Sequence, residues 1–175
     1  MEIWDVYDQD RLLTGKTMAR GEKFENGAYH LVVHVCIFNT QGLMLIQQRQ
    51  PFKSGWPNLW DITVGGSAIT GDTSRTAAER EVLEELGYRI NLDHVRPSLT
   101  VNYDVGFDDF YLVEEDVEPG SLNLQYEEVQ RVRWATKTDI LAMIDNGEFI
   151  PYHKSFIALL FDMRKYMGTH RKEGS

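Results

Sequence analysis

Glu81, Glu84 and Glu85 stand at positions i, i+3 and i+4, a spacing that puts three carboxylates on one side of a helix. Like charges this close raise each other's pKa unless something positive sits among them. A hard divalent cation that prefers oxygen ligands, Mg²⁺ or Mn²⁺, meets that need. A solvated helix face is the ordinary meaning of an E-x-x-E-E run, so the neighbouring residues decide. Gly65 and Gly66 end an apolar run containing Ile62 and Val64, and they let the backbone turn sharply or approach a ligand closely. Asp72 or Thr73 can cap the helix, whose positive end favours a carboxylate. Val82, Leu83 and Leu86 should pack the helix against a sheet. Ala77 and Ala78 are expected beneath the acidic face, leaving room for metal, water and phosphate. Gly87 supplies the left-handed residue that ends the helix.

In full, the stretch reads Gly66, five residues, Asp72, seven residues, then Arg80-Glu81-Val82-Leu83-Glu84-Glu85-Leu86-Gly87-Tyr88. It resembles the signature of the Nudix hydrolases, G-x₅-E-x₇-R-E-U-x-E-E-x-G-U with U bulky and apolar. Asp72 stands where that signature has its first Glu, and Tyr88 replaces an aliphatic residue. The resemblance implies Mg²⁺ or Mn²⁺ held by Glu81, Glu84 and Glu85. It also implies a carboxylate base, Glu84 or Glu85, or a Glu from a later loop, for which Glu128 beside Glu127 is the candidate. Arg80 would pair with Asp72 as a structural brace between loop and helix. One methylene shorter by about 1.5 Å, Asp72 is expected to weaken that brace.

From Tyr29 to Gly87 the chain is also similar to the type I isopentenyl-diphosphate isomerases, a branch of the same superfamily. Arg49, Lys53, Trp56, Pro57 and Trp60 match their Arg-x₃-Lys-x₂-Trp-Pro-x₂-Trp stretch. That match implies that Arg49 and Lys53 bind the substrate diphosphate, one as a fork and one as a point charge. Gly65 and Gly66 are expected to let the backbone approach it. Trp56 and Trp60 are either core residues or stacking surfaces. Where the isomerases carry a catalytic Cys and a metal-binding His, this chain has Gly65 and Ser67. His30 matches another of their ligands, but Lys23 stands where a further one is expected. Their downstream Glu-x-Glu becomes Phe107-Asp108-Asp109. His34 alternates with apolar residues on the same strand as His30.

The elements that must position these residues follow from patterning. Strands are expected at 3–7, 12–19, 29–38, 43–48, 59–64, 98–104, 107–113 and 129–135. Helices are expected at 73–86, 137–146 and 152–167, with a surface loop at 114–120. This order implies an α/β fold, a mixed sheet between helices in an α/β/α sandwich of the Nudix type. One domain spans 1–175, with N-terminal strands in 1–28, a core in 29–150, a C-terminal helix in 151–167 and a flexible tail from 168. At 175 residues the chain can bury a sizeable core, and its net charge of −9 argues against nucleic acid or an anionic membrane as partner. The lone Cys36 lies in an apolar strand and reads as packing. No basic or apolar leader opens the sequence, so a cytoplasmic setting is expected. The N-terminal strands could extend a homodimer interface.

The reading that results is a Mg²⁺-dependent hydrolase of a diphosphate linkage, in a nucleoside-diphosphate-X or related small molecule. Two alternatives stay open: an isopentenyl-diphosphate isomerase, and a non-catalytic diphosphate-binding module.

Overall fold

The computed structural model describes residues 1–170. In chain order the strands are β1 (Ile3–Tyr7), β2 (Leu13–Ala19), β3 (His30–Phe38), β4 (Met44–Arg49), β5 (Trp60–Asp61), β6 (Val64–Ser67), β7 (Leu99–Tyr103), β8 (Gly106–Glu114) and β9 (Val129–Ala135). The helices are α1 (Ser74–Leu86), α2 (Lys137–Asp145) and α3 (Lys154–Met163), with a 3₁₀ turn at Pro119–Ser121.

β3 is the spine of the main sheet, and its sequence is apolar on both faces because both are covered. Leu31, Val33, Val35 and Ile37 pack with Ala77, Ala78, Val82 and Leu86 of α1. Cys36 and Phe38 point the other way, into a core with Ile140 of α2 and Ile157, Leu160 and Phe161 of α3. Period-two alternation thus sorts one strand into two cores, the mixed-sheet sandwich expected from the element order. β8 pairs with β3 in parallel along its whole length, from His30 opposite Gly106 to Phe38 opposite Glu114. β7 closes that side of the sheet against β8.

The opposite edge of β3 is divided. β6 pairs with Val32–Val35, whereas β4 meets β3 only where Met44 lies opposite Phe38. From there β4 leaves to pair with β9 and β5. The expected single strand at 59–64 is accordingly broken into β5 and β6, which belong to different neighbours. Thr63, fully buried between them, sits at the parting of β3 and β4. Its hydroxyl donates to the Leu45 carbonyl and accepts from the Ile37 amide at 2.9 Å. It satisfies backbone groups that the separated strands cannot satisfy for each other.

β1 and β2 form a separate antiparallel hairpin with its own small core, in which Trp4, Val6 and Met18 pack on Phe24, Ala28 and Ile69. The last helix is shorter than expected, ending at Met163. Its apolar pattern had included Met167, which is half exposed and has no core to cover. The expected tail runs past residue 170 and there lies outside the described residues. Among the described residues no helix is long and apolar enough to cross a membrane.

One further expectation is corrected. Ala77 and Ala78 are wholly buried in the core between α1 and β3 rather than lining space for a ligand. Their small side chains let the helix sit close to the sheet. Ala77→Leu should therefore cost about 1–3 kcal/mol by overpacking, about 2–4 °C of melting temperature per kcal/mol at this length. Thermal unfolding of the ligand-free protein checks this. An unchanged midpoint would mean that the space beneath the helix is free after all.

Candidate active site

α1 begins at a capping box: the Thr73 side chain accepts from the Thr76 amide, and the Thr76 hydroxyl accepts from the Thr73 amide. Thr73, not Asp72, is the N-cap. That leaves the Asp72 carboxylate free to meet Arg80 two turns on, at 2.9 Å to Nη2 and 3.1 Å to Nε. These distances are not stretched, so the shorter side chain does not slacken the contact. Asp72 also accepts from Thr76 and from the Ile69 amide, contacts a longer side chain would have to rearrange. The rest of the guanidinium donates to the Ser67 carbonyl at 3.0 Å, Glu81 at 2.8 Å and Glu84 at 3.0 Å. Burial works against the Arg80 charge, but hydrogen bonding to Asp72 and the charge of Glu81 raise its pKa further above the usual arginine value.

The three glutamates reach one cavity but not one point. Glu81 and Glu84 share Arg80 Nη1, while Glu85 turns inward, buried, and accepts from Gln47 Nε2 of β4 at 2.9 Å. Among the described residues no three His, Cys, Asp or Glu side chains stand gathered for a metal ion. The reason is the arginine between them, which takes up oxygens that helix spacing alone would leave converging. Their chemistry still suits a hard divalent cation. Burial, then the neighbouring charge of Glu81, lifts Glu85 well above the usual glutamate range. Burial likewise lifts Glu81, against the pull of Arg80. Gly66 supplies the floor: a Cβ there would fall 2.1 Å from the Glu81 carboxyl carbon. A set of oxygen donors held under charge compression fits Mg²⁺ or Mn²⁺.

The cavity, about 430 Å³, is lined by these acids, by Gly65–Ser67 of β6, and by residues of β4 and its neighbours across the divided edge. On that far wall Arg49 donates Nε to the Gly55 carbonyl at 3.0 Å and lies 3.7 Å from Asp61. Lys53 is ion-paired with Glu128, so the expected phosphate ligand and the expected late base occupy each other. Glu127 is exposed and does not line the cavity. Trp56 lines it, half exposed, whereas Trp60 is buried under Arg131 and Arg133.

Asp61 and Tyr152 of the cavity lining, and Gln47 and Gln48 on the neighbouring strand, were not singled out from the sequence. Gln47 and Gln48 interrupt an apolar strand, which is the signal that they must find partners inside. Asp61, buried and for that reason raised in pKa, accepts from Tyr152 at 2.9 Å. His34 faces Asp108 at 3.5 Å and stacks on Phe110. Strand alternation sends Asp109 to the opposite face, where Arg11, Ser74 and Thr100 saturate it. Phe107-Asp108-Asp109 therefore gives the cavity one carboxylate, not two. His30 is a core residue: it bonds Tyr103, packs on Trp4, and burial lowers its pKa to about 4.

The NUDIX domain family model matches residues 28–160. A Listeria innocua protein called an uncharacterized Nudix hydrolase is 50% identical over 170 residues, covering 97% of this chain and 99% of that one. The isopentenyl-diphosphate Delta-isomerase of Shigella flexneri is 29% identical over 126 residues, 66% of each chain. In fold, the chain is similar to a crystal structure of a Deinococcus radiodurans protein, with a TM-score of 0.72 at 24% identity, covering 91% of this chain and 97% of that one.

The buried Glu85 carries a pH signature. Folding raises its pKa, so its charge costs nothing below the unfolded glutamate range near ~4.3, and the cost grows with pH until the folded pKa is passed. In metal-free buffer Glu85→Gln, which keeps an oxygen for Gln47, should melt higher than wild type at pH 8. The gap should close toward pH 4. Thermal unfolding across that range checks both, and a lower midpoint for the variant at pH 8 would contradict the assignment of a buried, strained charge.

Proposed function

The chain belongs to the Nudix family, and from that membership we propose that it hydrolyses the diphosphate linkage of a small X–diphosphate–Y compound, such as a nucleoside diphosphate derivative, with Mg²⁺ or Mn²⁺. The observation that carries this reading is one cavity lined both by the helix acids Glu81, Glu84 and Glu85 and by the basic side chains of Arg49 and Lys53. A diphosphate bridging the two groups would be neutralised from both ends.

Glu81, Glu84 and Glu85 would hold the cation. When bound, it supplies charge neutralisation at phosphate oxygens and makes water a better nucleophile. Arg49 and Lys53 bind and orient the diphosphate before and during the reaction. Gly65 and Gly66 keep the β6 backbone bare, so the phosphates can approach it. The attacking water must lose a proton to a carboxylate. Glu84 or Glu85, whichever the cation leaves free to meet the water, would accept the proton, both lining the cavity. Glu128 is committed to Lys53 and becomes available once a phosphate draws that lysine away. Asp72 and Arg80 position the helix acids without touching substrate.

The isomerase alternative is disfavoured by one geometric fact. A Cβ on Gly65 would lie 2.7 Å from Nδ1 of His34. A thiol at the position that holds one in the isomerases would have to displace the His34 ring, and Cys36 is sealed in the core.

Millimolar Mg²⁺ or Mn²⁺ should raise the melting temperature, the linkage amounting to about 2.7 kcal/mol at 100 times Kd. Glu84→Gln with Glu85→Gln should abolish the shift, and an equal shift in the double variant would remove these acids as ligands. Assayed over a panel of X–diphosphate–Y compounds, the wild type should release phosphate-bearing products only with the metal. Each single Gln variant should lose roughly 10²–10⁴ in kcat. Proton NMR with isopentenyl diphosphate should show no dimethylallyl product. Its appearance, dependent on the helix acids, would reverse the choice in favour of an isomerase. Binding without cleavage across the panel would favour the non-catalytic module.

A further inference from the structure

The β1–β2 hairpin precedes the residues matched by the family model, which begin at 28. It nevertheless places two charged side chains, Glu2 and Arg20, on the wall of the cavity that holds Glu81 and Glu84. The two form the last rung of the hairpin. The Arg20 amide donates to the Glu2 carbonyl at 3.0 Å. Its Nη1 lies 2.9 and 3.0 Å from the two Glu2 carboxylate oxygens.

The hairpin is anchored to the loop that leads into the acidic helix. Trp4 and Met18, cross-strand partners, are buried together against Ile69. The Thr70 amide donates to the Ile3 carbonyl at 2.8 Å, and the Gly71 amide to the Asp5 carboxylate at 2.8 Å. Asp72 follows directly. Glu2 and Arg20 are therefore held in fixed relation to α1, and the Glu2 charge is among the influences that keep the Glu81 carboxyl raised.

The other arginine on this side of the cavity is already spent. Arg80 is divided among Asp72, Glu81, Glu84 and the Ser67 carbonyl. Arg20 leans on one carboxylate in an ion pair whose arginine side chain is 57% exposed. Such a pair holds its partners weakly. A phosphate group offers the guanidinium more charge and a matching fork of oxygens.

We propose that Arg20 is a substrate-binding residue that grips the diphosphate from the hairpin side, opposite Arg49 and Lys53, and that Glu2 competes with the substrate for it. The proposal rests on the reading of the chain as a diphosphate hydrolase. Glu2 holds the guanidinium at the rim in the free protein. Incoming phosphate exchanges with Glu2, which closes a ring of cations around the diphosphate. A surface rung that served only to tie the hairpin would respond alike to loss of either partner. A competing pair responds in opposite directions.

The test uses the full chain at saturating Mg²⁺, titrated calorimetrically with imidodiphosphate, a pyrophosphate analogue with a non-hydrolysable bridge. Arg20→Ala should weaken binding roughly tenfold or more, the scale of a lost charged hydrogen bond. It should raise KM for a cleaved substrate with little change in kcat. Arg20→Lys should fall between. Glu2→Gln should tighten binding and lower KM. Unchanged binding in Arg20→Ala, or weakening in both Arg20→Ala and Glu2→Gln, overturns the role of Arg20 while leaving the hydrolase reading intact. A wild type that neither binds the analogue nor cleaves any diphosphate overturns that reading, and this proposal with it.

Discussion

One guanidinium holds this site together. Arg80 donates hydrogen bonds to Asp72 in the loop before α1, to the Ser67 carbonyl at the end of β6, and to Glu81 and Glu84 of the helix itself. Without it, only the Thr73–Thr76 cap and the Thr76–Asp72 contact would join loop and helix here, and three carboxylates would face one another across a partly buried gap. With it, full ionisation still leaves an excess of two negative charges over Asp72, Glu81 and Glu84, before Glu85 is counted. Arg80 is thus enough to let the fold close and too little to neutralise the face. That residual charge, confined where burial makes it expensive, is what an added divalent ion would relieve.

The second constraint is the divided edge of β3. A strand that kept one neighbour along its whole length would leave no opening between the helix wall and the β4 wall. Instead β6 takes the middle of the edge and β4 its end, and β4 carries Gln47 and Arg49 away toward β9 and β5. The cavity is lined from both branches. Buried Thr63 stabilises the fork by joining β3 to β4 through its side chain. Gln47 then bridges the two walls by donating to Glu85. The polar residues of these apolar strands are therefore not incidental, because each replaces a backbone contact or charge partner lost to the split.

Much of this was legible in the sequence because it is local. The acidic helix, its Gly87 terminus and the alternation of β3 follow from periods of 3.6 and 2 and from end signals a few residues long. What could not be read depended on partners far along the chain. Nothing local says that 59–64 must break, because the break is imposed by β3 and β4. Helix spacing predicts that Glu81, Glu84 and Glu85 share a side, but the side chains are sorted by Arg80 on the helix and Gln47 on a strand. Asp108 and Asp109 are adjacent in sequence, and only the register of β8 on β3 decides which one meets the cavity.

The same long-range logic explains why the differences from the isomerase pattern come as a set. His34 occupies the space in front of Gly65 so closely that a side chain there would have to displace its ring. Its ring lies flat on Phe110, 4.5 Å between centroids, and Phe110 sits two residues beyond Asp108 on the cavity face of β8. A second carboxylate on the cavity face of β8, beside Asp108, would fall at the Phe110 position. Placing one there would strip the histidine of its stacking partner and set a buried charge beside the apolar core of Cys36 and Phe156. Restoring a thiol at Gly65 would require the histidine to leave. Gly65, His34 and Phe110 are therefore three faces of one packing arrangement, and changing any one toward the isomerase chemistry works against the other two. The hydrolysis proposed above calls on acids of α1 and needs none of the displaced groups.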